Sequence, residues 1–216
     1  MDISSSPGED AIGQQASRAD GSLPAGAAGS RHAPVEVAVL GSARIGPGDP
    51  RHDEAGRLGR LLAEEGWTVV TGGYGGLMAA TARGAAAAGG HTVGLPMSGW
   101  AHLTPDPSNA ELRWSDDYQQ RLGFLLGTRV AIALPGGVGT LSEAAVVWAA
   151  AQTEPGAARL VLVGPSWRRL IGTFASELVV DAHDLALPIL VDEIETVVPA
   201  VHRVLAAPAA QPRARG

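Results

Sequence analysis

The chain has 216 residues, a net charge of −6, no cysteine and no lysine, its sixteen basic residues all being arginine. That length fits one domain able to bury a two-sided sheet. The missing cysteines exclude disulfides, thiolate catalysis and cysteine metal sites, and the missing lysines exclude a pyridoxal-phosphate Schiff base and a P-loop phosphate lysine. An acidic chain without a dense basic cluster does not suit nucleic acid.

Residues 1–33 are rich in Ser, Gly, Ala and Asp with almost no large apolar side chains, so they are expected to be a disordered extension. The tail 206–216, with Pro208, Pro212, Arg213 and Arg215, is expected to behave likewise. Between them, residues 34–205 alternate short β-rich runs with longer helical segments. The runs are Val35–Leu40, Trp67–Thr71, His91–Leu95, Arg129–Leu134, Leu160–Val163 and Leu187–Val191. Their centres are apolar throughout, as in parallel strands covered on both faces. Helices are expected over Glu54–Glu65, Leu77–Ala88, Asp116–Leu126, Leu141–Gln152, Ser166–Leu178 and about Asp192–Leu205, the last disturbed by Pro199. This pattern predicts a single doubly wound, Rossmann-like α/β domain with a mostly parallel sheet and helices on both faces. No stretch reaches the length of a membrane span and no signal-like start is present, so a cytoplasmic protein without membrane contact is expected.

In such a domain the ligand lies beyond the C-terminal ends of the strands. Three loops should converge there. The first is Gly41-Ser42-Ala43-Arg44. The second is Thr71-Gly72-Gly73-Tyr74-Gly75-Gly76-Leu77-Met78. The third is Pro135-Gly136-Gly137-Val138-Gly139-Thr140, which runs from an apolar strand into a helix. A glycine turn of that kind presents N–H groups at the positive end of the helix and suits a phosphate. None of the loops has the GxGxxG spacing of a dinucleotide site, which points to a mononucleotide-type ligand. The scattered histidines form no HxxxH or HxH pair, so no metal site is expected.

Glu143 admits two readings. Thr140-Leu-Ser-Glu143 has the spacing of a capping box, in which the glutamate bonds back to the cap residue. A carboxylate beside a bound ribose could instead stabilise an oxocarbenium-like centre, and the helix N-terminus would keep it ionised. Arg121 also has two readings: an i,i+4 surface pair with Asp117, or an arginine aimed into the site. Arg44, Tyr74 and Met78 are further contact candidates. Trp100 and His102, with Trp114 just beyond, belong to the Pro-rich Pro96–Arg113 region, expected to be a lid or a dimer-facing loop.

Gly41-Ser-Ala-Arg44, Thr71-Gly-Gly-Tyr-Gly-Gly-Leu-Met78, Ala88-Gly-Gly-His-Thr-Val-Gly94 and Pro135-Gly-Gly-Val-Gly-Thr-Leu-Ser-Glu143 together resemble the LONELY GUY (LOG) family, whose members are often mislabelled lysine decarboxylases. The resemblance implies a Rossmann-like homodimer that hydrolyses the N-glycosidic bond of a nucleoside 5′-monophosphate, releasing base and ribose 5-phosphate without a cofactor. It implies phosphate binding by Gly136, Gly137, Val138, Gly139 and Thr140, assisted by Ser42 and by Gly72, Gly73, Gly75 and Gly76. It also implies catalytic roles for Glu143 and Arg121. The chain departs from the family pattern in three places. The stretch from Arg121 to Pro135 is one residue short, Leu122 replaces the usual lysine, and the loop after strand two is the shorter Gly72-Gly-Tyr-Gly-Gly76 form of a branch that often has glutamate where Ala79 stands. Related folds that carry molybdenum cofactor supply the alternative, a binding protein without turnover.

Overall fold

The computed structural model describes residues 34–207, so the two predicted tails lie outside the described residues except at Ala206 and Ala207. Seven strands form one sheet: β1 (Glu36–Leu40), β2 (Thr68–Thr71), β3 (Thr92–Gly94), β4 (Glu111–Leu112), β5 (Val130–Ala133), β6 (Arg159–Val163) and β7 (Ile189–Val191). Their order is β4-β3-β2-β1-β5-β6-β7, and every neighbouring pair is parallel. The direction of winding reverses between β1 and β5. The loops after these two strands therefore diverge and open a crevice, which is where ligands bind in such sheets.

The helices are α1 (Pro50–Glu64), α2 (Leu77–Ala87), α3 (Tyr118–Leu126), α4 (Val138–Thr153), α5 (Pro165–Glu177), α6 (Ala182–Leu185) and α7 (Val197–Ala206). Strand pleating divides the core in two. Val37, Val39, Val130 and Ile132 face Leu58, Leu62, Leu77 and Val201 of α1, α2 and α7. Ala38, Ala131 and Ala133 face Leu125, Val147 and Trp167 of α3, α4 and α5. No helix among the described residues is long and apolar enough to cross a membrane.

Several expected boundaries move, each for a local reason. Helix α1 starts four residues earlier than Glu54, because Asp49 caps it through the Arg51 N–H and Pro50 occupies its first turn. Pro199 does not disturb α7, because the helix begins at Val197 after a short 3-10 turn (Ile194–Thr196) and proline is tolerated in a first turn. Helix α7 includes Ala206, which the sequence assigns to the tail. The Pro96–Arg113 region contains an unexpected edge strand, β4, and the segment before β7 contains the unexpected four-residue α6.

Candidate functional site

The third loop leaves β5 and enters α4 at an N-cap that the sequence does not suggest. The cap is Gly137, not Thr140, and it offers no side-chain bond. The first intrahelical bond runs from the Leu141 N–H to the Gly137 carbonyl, at 2.9 Å. The N–H groups of Val138, Gly139 and Thr140 therefore head the helix without an intrahelical acceptor. Gly136 through Gly139 are exposed, whereas Thr140 is buried. A Cβ at Gly136 would collide with the Thr140 side chain, so that glycine serves close packing. A Cβ at Gly137 or Gly139 would meet nothing within 4 Å, so the turn is open at both positions.

The other two loops are tied to this turn. The Ser42 N–H donates to the Pro135 carbonyl at 3.2 Å, and the Leu77 N–H donates to the Ser42 carbonyl at 2.9 Å. Gly76 approaches the Ser42 and Ala43 backbone too closely for a side chain, and its φ of 69° lies in the left-handed region. Ser42 caps its own loop, its Oγ accepting the Arg44 N–H at 3.1 Å. The Arg44 residue itself is exposed, and no side-chain bond holds it among the described residues. Gly72 and Gly73 are buried, while Gly75 is exposed and Gly76 half-buried. A cleft of about 1090 Å³ runs from Ser42 and the Leu134–Val138 turn towards Gly164, Trp167 and Glu193.

With α4 starting at Val138, Glu143 is its sixth residue and cannot close a capping box. Arg121 is likewise no surface partner of Asp117, which instead caps α3 by accepting the Gln120 N–H at 2.8 Å. Arg121 is only 5% exposed and Glu143 only 9%. Arg121 Nε and Nη2 both donate to the same oxygen, Glu143 Oε1, at 3.3 and 3.2 Å. Its Nη1 donates to the carbonyls of Gly72 and Leu95. Glu143 Oε2 carries no hydrogen bond among the described residues.

Burial pushes the Glu143 carboxyl above the usual glutamate range, while the Arg121 guanidinium pulls it partly back. Tyr74 and Met78 are buried beside this pair. The Tyr74 hydroxyl accepts the Met97 N–H at 2.8 Å, and Met78 Sδ would lie 2.5 Å from a Cβ at Gly72. Sequence reasoning offers Trp100 as one of two loop tryptophans on which a base could stack; in the structure its ring centroid is 5.6 Å from the Arg121 guanidinium carbon. His102 and Trp114 are exposed. Among the described residues one trio has metal-capable side chains, Asp181, His183 and Asp184, and it lies on α6 away from these loops. Its acids are engaged in capping α6 and in accepting from Gln152.

The family model that matches the chain describes the SLOG cluster4 family and covers residues 34–154, more than half of the sequence. The chain belongs to the SLOG cluster4 family. All three loops and the Arg121–Glu143 pair fall within the matched segment. Two relatives extend the comparison. An uncharacterized protein of Archaeoglobus fulgidus is 29% identical over 113 residues, which are 52% of this chain and 72% of that one. A cytokinin riboside 5′-monophosphate phosphoribohydrolase of Mycobacterium marinum is 38% identical over 106 residues, 46% of this chain and 57% of that enzyme. Among solved structures, the molybdenum cofactor carrier protein of Chlamydomonas reinhardtii superposes with a TM-score of 0.67 at 24% identity. That match covers 81% of this chain and all of the carrier, and establishes the fold of this SLOG member as Rossmann-like.

Proposed function

We propose that this SLOG protein is a cytoplasmic phosphoribohydrolase that cleaves nucleoside 5′-monophosphates to free base and ribose 5-phosphate. The observation that carries the reading is the free Oε2 of a buried Glu143, held by Arg121 on the helix whose uncapped end faces open space. A phosphate at that end accepts from the N–H groups of Val138, Gly139 and Thr140, and the helix dipole favours its charge. Glu143 lies five residues further along α4, about 7.5 Å of helix rise. Long side chains on a helix lean towards its N-terminus, so the carboxylate reaches back towards a sugar attached to the phosphate.

In the reaction the C1′–N bond breaks and its electron pair leaves with the base. Water adds its oxygen at C1′, and the proton it releases ends on the base. Glu143 Oε2 stabilises the cationic C1′ electrostatically or bonds to it before water arrives. Either role requires the ionised carboxylate, which Arg121 favours and burial opposes. The 38% identity to the M. marinum enzyme over 106 residues supports this reading. A homodimer belongs to it as well, and exposed Val138, Leu141, Leu170 and Val179 offer apolar surface for one.

A second reading is favoured by one observation. The large cleft opens on the α5 side of the phosphate turn, and neither Arg121 nor Glu143 lines it. A ligand lying wholly in that cleft would be bound without chemistry, as a cofactor carrier requires. Incubation with AMP, CMP, GMP and a cytokinin monophosphate separates the two. Release of base and ribose 5-phosphate from one of them supports the hydrolase; tight binding of one with no release supports the carrier.

A further inference from the structure

The Arg121 guanidinium lies in a slot whose four sides are all defined. Its floor is Gly72, where a Cβ would stand 2.6 Å from Nη2, so only glycine leaves room for the cation. One end of the slot is closed by the carbonyls of Gly72 and Leu95, and the other by Glu143 Oε1. Its roof is the half-buried indole of Trp100, with the guanidinium carbon 5.6 Å from the ring centroid. That distance is within the range at which the negative face of an indole attracts a cation.

The roof is held by the elements that build the pair. The Trp100 N–H donates to the Met97 carbonyl at 3.1 Å, closing a tight turn over Met97–Trp100. The Met97 N–H donates to the Tyr74 hydroxyl, and the Tyr74 ring packs 5.7 Å from the Trp100 ring. The Ser98 N–H donates to the Ser115 carbonyl at 2.9 Å, and Ser98 Oγ bonds Asp116 Oδ1 at 3.3 Å, just ahead of α3. The turn is thus fastened to the loop after β2 and to the head of the helix that carries Arg121. The indole N–H has no hydrogen-bond partner among the described residues, and the ring rests against Arg121 and Tyr74.

We infer that Trp100 is a positioning residue of the site: it holds the Arg121 guanidinium flat in its slot, so that Nε and Nη2 converge on Glu143 Oε1 and water is kept from the pair. A leucine is smaller than the indole and has no negative face, so it would neither cover the pair fully nor attract the cation, whereas an aromatic ring does both. The meaning of this for catalysis rests on the hydrolase reading, because only there does the freed Oε2 act on a sugar. The placement of Arg121 does not rest on it.

The test compares Trp100→Leu and Trp100→Phe with the wild-type protein by 15N NMR of the Arg121 Nε–H, assigned by its loss in Arg121→Met. In the wild type the signal should be displaced by the indole ring current and should exchange slowly with water. Trp100→Leu should abolish the displacement and speed exchange at least tenfold. Trp100→Phe should keep a displacement of the same sign and exchange within about threefold of wild type. If Trp100→Leu leaves both shift and exchange unchanged, or if Trp100→Phe exposes Arg121 as fully as leucine does, the inference is overturned. This readout needs no turnover, so it decides the inference even if no nucleotide is hydrolysed. Where base release is measured, Trp100→Leu should lower kcat at least tenfold with KM changed less than threefold, and phenylalanine should restore most of kcat. A rise in KM alone would contradict a positioning role.

Discussion

Gly137→Val tests the phosphate turn because the structure separates its effect on the ligand from its effect on the fold. Gly137 has φ −97° and ψ −157°, an extended conformation that a β-branched residue adopts readily. Its added Cβ meets nothing within 4 Å, so the protein should melt within a few degrees of wild type. A phosphate held on this turn by the Val138, Gly139 and Thr140 N–H groups would be crowded by the new methyl groups. Charge-assisted bonds are worth about 1.5–3 kcal/mol each, so losing two weakens binding by about 3–6 kcal/mol. That is about two to four powers of ten in Kd. Isothermal titration with AMP reads the loss, and adenosine serves as the control because its affinity should change little. An AMP affinity unchanged in a folded Gly137→Val protein would refute phosphate binding at this turn. The neighbouring Gly136 makes the contrast: a Cβ there strikes the Thr140 side chain, so Gly136→Val should lower the melting temperature as well.

The remaining predictions follow from the Arg121–Glu143 pair. Gly72→Ala places a methyl 2.6 Å from Arg121 Nη2 and should cost about 1–3 kcal/mol of stability, read by denaturant titration, and at least tenfold in base release. Because burial raises the Glu143 carboxyl and the reaction needs it ionised, kcat/KM should fall as pH drops through a value above the ordinary 4.5 of glutamate. A pH profile flat down to 4.5 would contradict that assignment.

Much of the fold was legible because its strands are short, buried on both faces and continuously apolar. Six of the seven strands announce themselves this way. The missed β4 has two residues, Glu111 and Leu112, neither of them buried, so it carries no apolar signal. The missed α6 is a single four-residue turn. At the site, the glycine turn was legible from its order, strand then glycines then helix. The true start of α4 was not, since glycine caps it without a side chain and the Thr140–Glu143 spacing imitates a capping box three residues inside the helix. The partner of Arg121 was hidden for a similar reason. Asp117 stands at the right spacing for a surface pair, whereas the actual partners come from the loops after β2 and β3 and from α4. The contact of Trp100 with Arg121 was not legible, because nothing local fixes where a loop tryptophan comes to rest.

The central claim is that Glu143 acts on the sugar of a nucleotide anchored at the α4 turn. Glu143→Gln keeps an oxygen to accept from Arg121 and removes the negative charge. Its rate of ribose 5-phosphate release, measured beside wild type on the best nucleotide monophosphate, is the most direct test. The account predicts AMP binding within a few-fold of wild type and release slowed at least about a hundredfold, roughly 3 kcal/mol in the barrier. Release by the variant at the wild-type rate would contradict it.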